Sequence, residues 1–424
     1  MDSQLARRFL TVEIFGFYAL ALCLPLAETP MHIAFIFLVL GAMGWRLTSF
    51  AWRKPDFFEW LLLSMSAIAL ASTIINWPLI KGFSGFRNYV TLYVLFWIAY
   101  RSRYSREQMQ TFFWLVVASI VFGLLYGLWE LQSGVTTRLE LHSAGVVTQS
   151  SIYLGEAFFI MLGGYLDRTS FVTAKFRSLL FLCILFAGAG LFVMGSRGSL
   201  LGVGFGLLLM VVLRPFSNKR FFWAVGCVSA LLLLAVNWAI MSSPQRIPLV
   251  SGIRHLRPHL DLSDIDSAVN RNDLVRYENW LIGYWQATNS KHPLLGIGPR
   301  NYESILIEEL PWASTLKSYP HDWQKLQHAH NLFLTKWCEE GILGLLVFLL
   351  FLGRIGWLLL RECYETNEPR WYLVAGLGSM VVFIVAGSFN SPFNNEFAWL
   401  AMLVMGYAIR RTLHETSNEV GLAS

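Results

Sequence analysis

Three places in this sequence hold side chains that could bind an anion or accept a proton. Arg197 sits in the short turn Gly195-Ser196-Arg197-Gly198 between two strongly apolar runs. A guanidinium at such a boundary can hold an anion, and its cost makes it a functional-site candidate; the plainer reading is an arginine that reaches lipid phosphates. Arg276 lies in a long polar stretch, with Arg271 before it and Trp280 one helical turn after it. A charged residue there is ordinarily a solvated helix face. His330 follows His328 by two residues, precedes Asn331, and stands where the polar stretch meets the next apolar run. An imidazole near physiological pH can accept a proton, although one that is merely hydrogen-bonded at an interface fits the same pattern.

Two other patterns invite a chemical reading and have a simpler one. Asp261, Asp264 and Asp266 resemble a metal cluster, but Asp and Ser ahead of a helix are common caps. Gly296-Ile297-Gly298 lacks the strand-then-helix context of a nucleotide loop and reads as part of a sharp turn over 292–299. Cys23, Cys183, Cys227 and Cys338 fall in or beside apolar runs and Cys363 in a loop, with no CxxC pair. Neither a disulfide framework nor a metal or other cofactor site is indicated.

The elements that must position these residues are membrane helices. Of the 424 residues, 55% are hydrophobic and only 14% charged, and the mean hydropathy is +0.50. That balance excludes a water-soluble fold. The apolar runs are continuous and about 16–22 residues long, enough to cross a hydrocarbon core as helices, whereas barrel strands would alternate over about ten. Spans are expected at 11–27, 31–49, 57–76, 86–100, 109–130, 151–166, 178–194, 197–213, 221–240, 332–352, 371–389 and 395–410. The first follows Arg7 and Arg8 like a signal peptide, but the even span count favours an uncleaved helix.

Basic residues give the orientation. Arg46 with Arg53 and Lys54, Arg101 with Arg103 and Arg106, Arg214 with Lys219 and Arg220, and Arg410 with Arg411 all fall on the side of the termini. The opposite turns hold little beyond Lys81, Arg87, Arg138 and Arg197, so both ends are expected in the cytoplasm. The net charge of +6 follows from these loops and from anionic lipids, without a nucleic-acid partner.

The expected fold class is therefore an all-α integral membrane protein with a large, mainly helical loop. Residues 1–240 hold nine spans, 241–331 form the outer loop or lid, and 332–424 hold three spans and a tail. A polar connection of about 90 residues far exceeds the usual few, and its length marks it as the working part. Within it the sequence reads as helical from 270 to 290. Few charged or broken spans are legible, which argues against a transporter.

At this point the residues resemble a known family. His330-Asn331, nine residues, then Gly341-Ile342-Leu343-Gly344 fit the pattern H-[NSQ]-x9-G-x-x-[GTY], which is similar to the signature of O-antigen ligases. Arg276-x3-Trp280 followed by Pro293-Leu294-Leu295-Gly296-Ile297-Gly298 resembles the large outer loop of the wider ligase and polymerase superfamily, and Ser196-Arg197-Gly198 its arginine turn. The resemblance covers about 190–345 and the span count.

It implies a GT-C-like, metal-independent and inverting glycosyltransferase of the bacterial inner membrane. The donor would be O-antigen on undecaprenyl diphosphate and the acceptor a hydroxyl of lipid A–core, meeting at the periplasmic face. Under that implication Arg197 and Arg276 bind the donor diphosphate, since guanidinium forks match phosphate oxygens. His330 would accept the acceptor's proton. His328 or Asn331 could orient it, and Arg271 or Arg300 could add to donor binding. With both substrates lipid-anchored, a membrane-facing opening under the lid is expected. The nearest rival is an O-antigen polymerase, and from a different class a polyspanning lipid or glycan transporter.

Overall fold

The computed structural model describes residues 3–49, 54–76, 81–141, 147–213 apart from 168 and 170, 268–366 apart from 306, 308, 309 and 317–327, 369–390 and 397–422. Among these residues every long element is an α-helix and there is no strand. The helices are α1 (Ser3–Cys23), α2 (Glu28–Ser49), α3 (Phe57–Ile75), α4 (Lys81–Arg101), α5 (Arg106–Ser133) and α6 (Val147–Leu166). They continue with α7 (Ala174–Met194), α8 (Arg197–Val212), α9 (Ala268–Asn289), α10 (Leu332–Glu365), α11 (Trp371–Gly387) and α12 (Phe397–Leu422).

A helix stands at each expected span except 221–240, which lies outside the described residues, as do Asp261, Asp264, Asp266 and Cys227. Helices α2, α3, α5, α7 and α10 are long and apolar enough to cross a membrane, and α8 and α11 are shorter apolar helices. The chain is thus an all-helical, multi-pass membrane protein. Helices α1, α4, α6 and α12 also coincide with expected spans, whereas α9 occupies the polar stretch read as helical from sequence.

Local signals set many of the ends. Asp56 with Glu59 and Ser105 with Gln108 form reciprocal capping boxes at the starts of α3 and α5. Gly195, at φ 67°, closes α7, and Ser196 is already the N-cap of α8, so only two residues separate the helices. Helix α11 packs on α6, α8 and α12, α1 on α2 and α5, and α3 on α4 and α10.

The element that matters most is α10, which is broken at Gly341 (φ 67°, ψ −173°). A side chain there would enter the backbone of Leu294. The break frees main-chain groups on both of its sides, and the segment 293–298 satisfies them. Ile342 N–H donates to Pro293 O at 3.1 Å and Leu343 N–H to Leu294 O at 3.3 Å. From the segment, Ile297 N–H donates to Cys338 O at 3.0 Å and Gly298 N–H to Glu339 O at 2.8 Å. Gly296 and Gly298 adopt positive φ, as the turn requires, and the Gly296 Cα presses on the Cys338–Glu339 peptide too closely for a Cβ.

The first half of α10 carries a fully buried polar cluster. Lys336 Nζ lies 2.5 Å from Glu340 Oε1, donates to Tyr93 OH at 2.9 Å and sits 3.7 Å above the Tyr89 ring. Tyr89 OH donates to Glu339 Oε2 at 2.6 Å. Ser72 of α3 donates to Glu339 O at 2.8 Å and also to Leu295 O. The sequence reading expected few charged or broken spans, and α10 corrects it. The charges are tolerated because they pair with one another and with hydroxyls, and the break because another segment supplies its hydrogen bonds.

Candidate active site

The break in α10 and the α7–α8 turn bring the candidate residues to the same end of the bundle. Arg197 is the first residue of α8, where the unsatisfied N–H groups of a helix N-terminus add to its positive charge. The Ser196 hydroxyl lies 3.2 Å from that of Ser199, which lies 2.8 Å from that of Ser151 on α6. Arg197 and Arg276 line one cavity of about 430 Å³, closed on one side by Ala386, Phe389 and Asn390 at the end of α11. Two guanidiniums from different helices, 79 positions apart in sequence (276 − 197), thus face a common space.

Arg197 has a second surface. It heads an apolar groove of about 460 Å³ that runs along α8 past Leu200, Leu201, Gly204, Phe205 and Leu208. Leu201, Phe205 and Leu208 are each about half exposed. One residue therefore joins a polar, cation-lined cavity to an apolar track.

His330 is not among the residues lining the cavity; it lies in the turn that enters α10, within electrostatic reach of the cavity's Arg276. Asn331 is the N-cap of that helix, its Oδ1 accepting from the N–H groups of Phe333 and Leu334 at 3.0 Å each, while its Nδ2 donates to Ser388 O at 3.1 Å. That double tie fixes the turn against the end of α11. His330 itself has φ 50°, a left-handed conformation unusual for a non-glycine residue. Its N–H donates to Nδ1 of the buried His328 at 3.2 Å, and the two rings meet edge to face at 4.3 Å. Trp280 of α9 donates from Nε1 to His330 O at 3.3 Å. Burial, then His328, then Arg276 push the His330 pKa down from 6.5 to about 3, which keeps the imidazole neutral at physiological pH. Arg276 lines the cavity and acts on His330, so it connects the two parts of the site.

The other candidates fall differently. Arg300 is not among the residues lining the cavity. It adopts φ 62° ahead of a short 3₁₀ turn at Asn301–Ser304, its Cβ close to Gly85 of α4, and its N–H donates to the Glu339 carboxylate. Arg271 lies on α9, one and a half turns before Arg276, and its side chain is outside the described residues.

The cavity also contains residues that sequence reasoning passed over. Arg138 and Glu140 enter it from the loop between α5 and α6, and Asn390 from the end of α11. Arg138 is visible in the sequence only as one of a few basic residues in the turns opposite the termini, and nothing in the local pattern marks Glu140 or Asn390.

Such a site can bind a polyanion through guanidinium forks, and it holds a neutral imidazole within electrostatic reach of one of them. Residues 181–349 match the sequence model of a family described as O-Antigen ligase. The match spans Arg197, Arg276, His330 and Gly341, and leaves Arg138, Glu140 and Asn390 outside it. No curated protein matches the chain.

Proposed function

We propose that the chain, whose residues 181–349 match the family described as O-Antigen ligase, transfers O-antigen polysaccharide from undecaprenyl diphosphate to lipid A–core. The observation that carries this reading is the double position of Arg197, which belongs both to the cation-lined cavity and to the apolar groove along α8. A polyprenyl-diphosphate glycan has that same division, a doubly charged head between a sugar and a long apolar tail.

Arg197 and Arg276 hold the diphosphate, whose departure needs positive charge more than it needs a proton. The acceptor hydroxyl attacks the anomeric carbon from the face opposite the diphosphate. The new C–O bond forms as the bond to the diphosphate oxygen breaks, with inversion, and His330 takes the hydroxyl proton. The free site holds the imidazole neutral, ready to accept. Negative charge from the bound donor offsets Arg276 and restores part of the basicity that this cation suppresses. His328 and Asn331 hold the His330 turn in place.

In this reading the chain crosses the bacterial inner membrane twelve times, with both termini cytoplasmic and residues 241–331 as a periplasmic lid. Donor and acceptor arrive laterally, since neither lipid tail then has to leave the bilayer. The reading is tested by the lipopolysaccharide profile of a deletion strain together with its carrier-linked glycan. Core without O-antigen, with long polymer accumulating on undecaprenyl diphosphate, is the expected outcome. Core carrying a single repeat would make the protein a polymerase, and an unchanged profile would sink both.

A further inference from the structure

The loop between α5 and α6 turns a carboxylate into a cavity whose other charged residues are arginines. Its position is set by packing on three sides. Leu139 and Leu141 are buried in the core at 2% and 0% exposure, which anchors the loop on both sides of the partly exposed Glu140. The N–H of Leu141 donates to Ser150 Oγ at 2.9 Å, tying the loop to α6. Behind Glu140, its carbonyl lies against Gly127 of α5, where a side chain would collide with it. The carboxylate accepts from the N–H of Val147 and faces Arg138, while burial pushes its pKa upward.

A carboxylate in an anion-binding cavity opposes its ligand unless it meets a part that bears no negative charge and offers hydrogen-bond donors. Sugar hydroxyls are such donors, and a carboxylate is an acceptor only, with room for several bonds. Hydrogen bonds to an ionised oxygen are also about twice as strong as neutral ones, which favours this use of a partly buried group. Thr137, Thr148 and Asn390, on the same cavity wall or facing it, are equally suited to a hydroxylated ligand.

We propose that Glu140 is a specificity-determining residue that accepts hydrogen bonds from the first sugar of the donor while Arg197 and Arg276 hold the adjoining diphosphate. The inference rests on the donor assigned above and adds the part of the molecule that reads its glycan. A Glu140 that merely tied the loop to the start of α6 would be indifferent to the sugar.

The test uses the full chain in lipid nanodiscs and two probes, a polyprenyl diphosphate carrying one N-acetylglucosamine and the same polyprenyl diphosphate without sugar. Glu140→Gln keeps the shape and removes the charge. It should weaken binding of the glycosylated probe by about tenfold or more, the scale of a lost charge-assisted hydrogen bond, and leave the sugar-free probe unchanged. The unchanged probe also reports that the variant is folded. Equal weakening of both probes, or of neither, would overturn the assignment of Glu140 while leaving the diphosphate site standing. Failure of the unaltered protein to bind either probe would overturn the donor reading and this inference with it.

Discussion

His330 shows how much of a residue's chemistry is set by its surroundings. Its ring is neutral because it is buried beside a second histidine and an arginine, which lower its pKa to about 3. The acid limb of kcat/KM for the free enzyme should therefore lie below pH 5, where the imidazole begins to protonate. A limb near 6.5 would mean a solvated ring or a different base. Arg276→Gln removes one of the cations and should move this limb upward. For stability the sign is the reverse of a salt-bridged histidine. The unfolded chain takes up a proton near pH 6.5 and the folded chain only near 3, so the folded state loses stability as pH falls through that window. His330→Ala should lower transfer by about 10²–10⁴-fold, as expected for loss of a general base, with donor binding retained. Arg197→Lys keeps the charge but loses the planar fork, and should weaken binding of a polyprenyl diphosphate by about tenfold in the same nanodisc assay. Arg197 and His330 are legible in the sequence because an arginine or histidine at the edge of an apolar run is costly enough to be conspicuous, and Arg276 only through the family motif that it resembles. Arg138, Glu140 and Asn390 lie in polar loops, where such residues are ordinary, and only their shared cavity distinguishes them.

At the scale of elements, the spacing from His330 to Gly341 acquires a physical meaning. The nine residues between Asn331 and Gly341 form one half-helix, capped by Asn331 and ended by a glycine whose backbone no other residue adopts easily. Gly341→Ala combines a left-handed φ with a collision against Leu294, and should cost about 1–3 kcal/mol or more in thermal unfolding in detergent, with loss of transfer. Lys336→Ala leaves Glu340 and Glu339 buried without their cation. A loss of about 3–5 kcal/mol is expected, read from the same melting experiment. An unchanged melting temperature for Lys336→Ala would mean that the pair is not closed in the membrane. The break itself was not legible, since the run 342–352 is as apolar as any unbroken span. The partner segment 293–298 that makes the break tolerable lies more than forty residues upstream.

For the whole molecule, the orientation inferred from basic loops is open to direct measurement. A cysteine at position 291, on the exposed loop after α9, should react with a membrane-impermeant maleimide in intact spheroplasts. One at position 54, exposed before α3, should react only after permeabilisation, with the parent chain as the blank. The opposite pattern would invert the topology and put the proposed site on the cytoplasmic side. Hydropathy determined that this chain is a helical membrane protein and where most of its helices run, because burying a backbone in lipid leaves continuous apolar stretches as the only economical pattern. Motif spacing determined that Arg197, Arg276 and His330 were worth watching. Only the tertiary structure decided that Arg197 and Arg276 share a cavity with Arg138 and Glu140, that His330 lies within electrostatic reach of Arg276, and that Arg300 packs elsewhere, against α4 and the broken helix. The physical reason is that periodicity and composition report which face a residue presents to lipid or core. Which distant residues meet is settled by how α6, α8, α9 and the end of α11 pack around a common space.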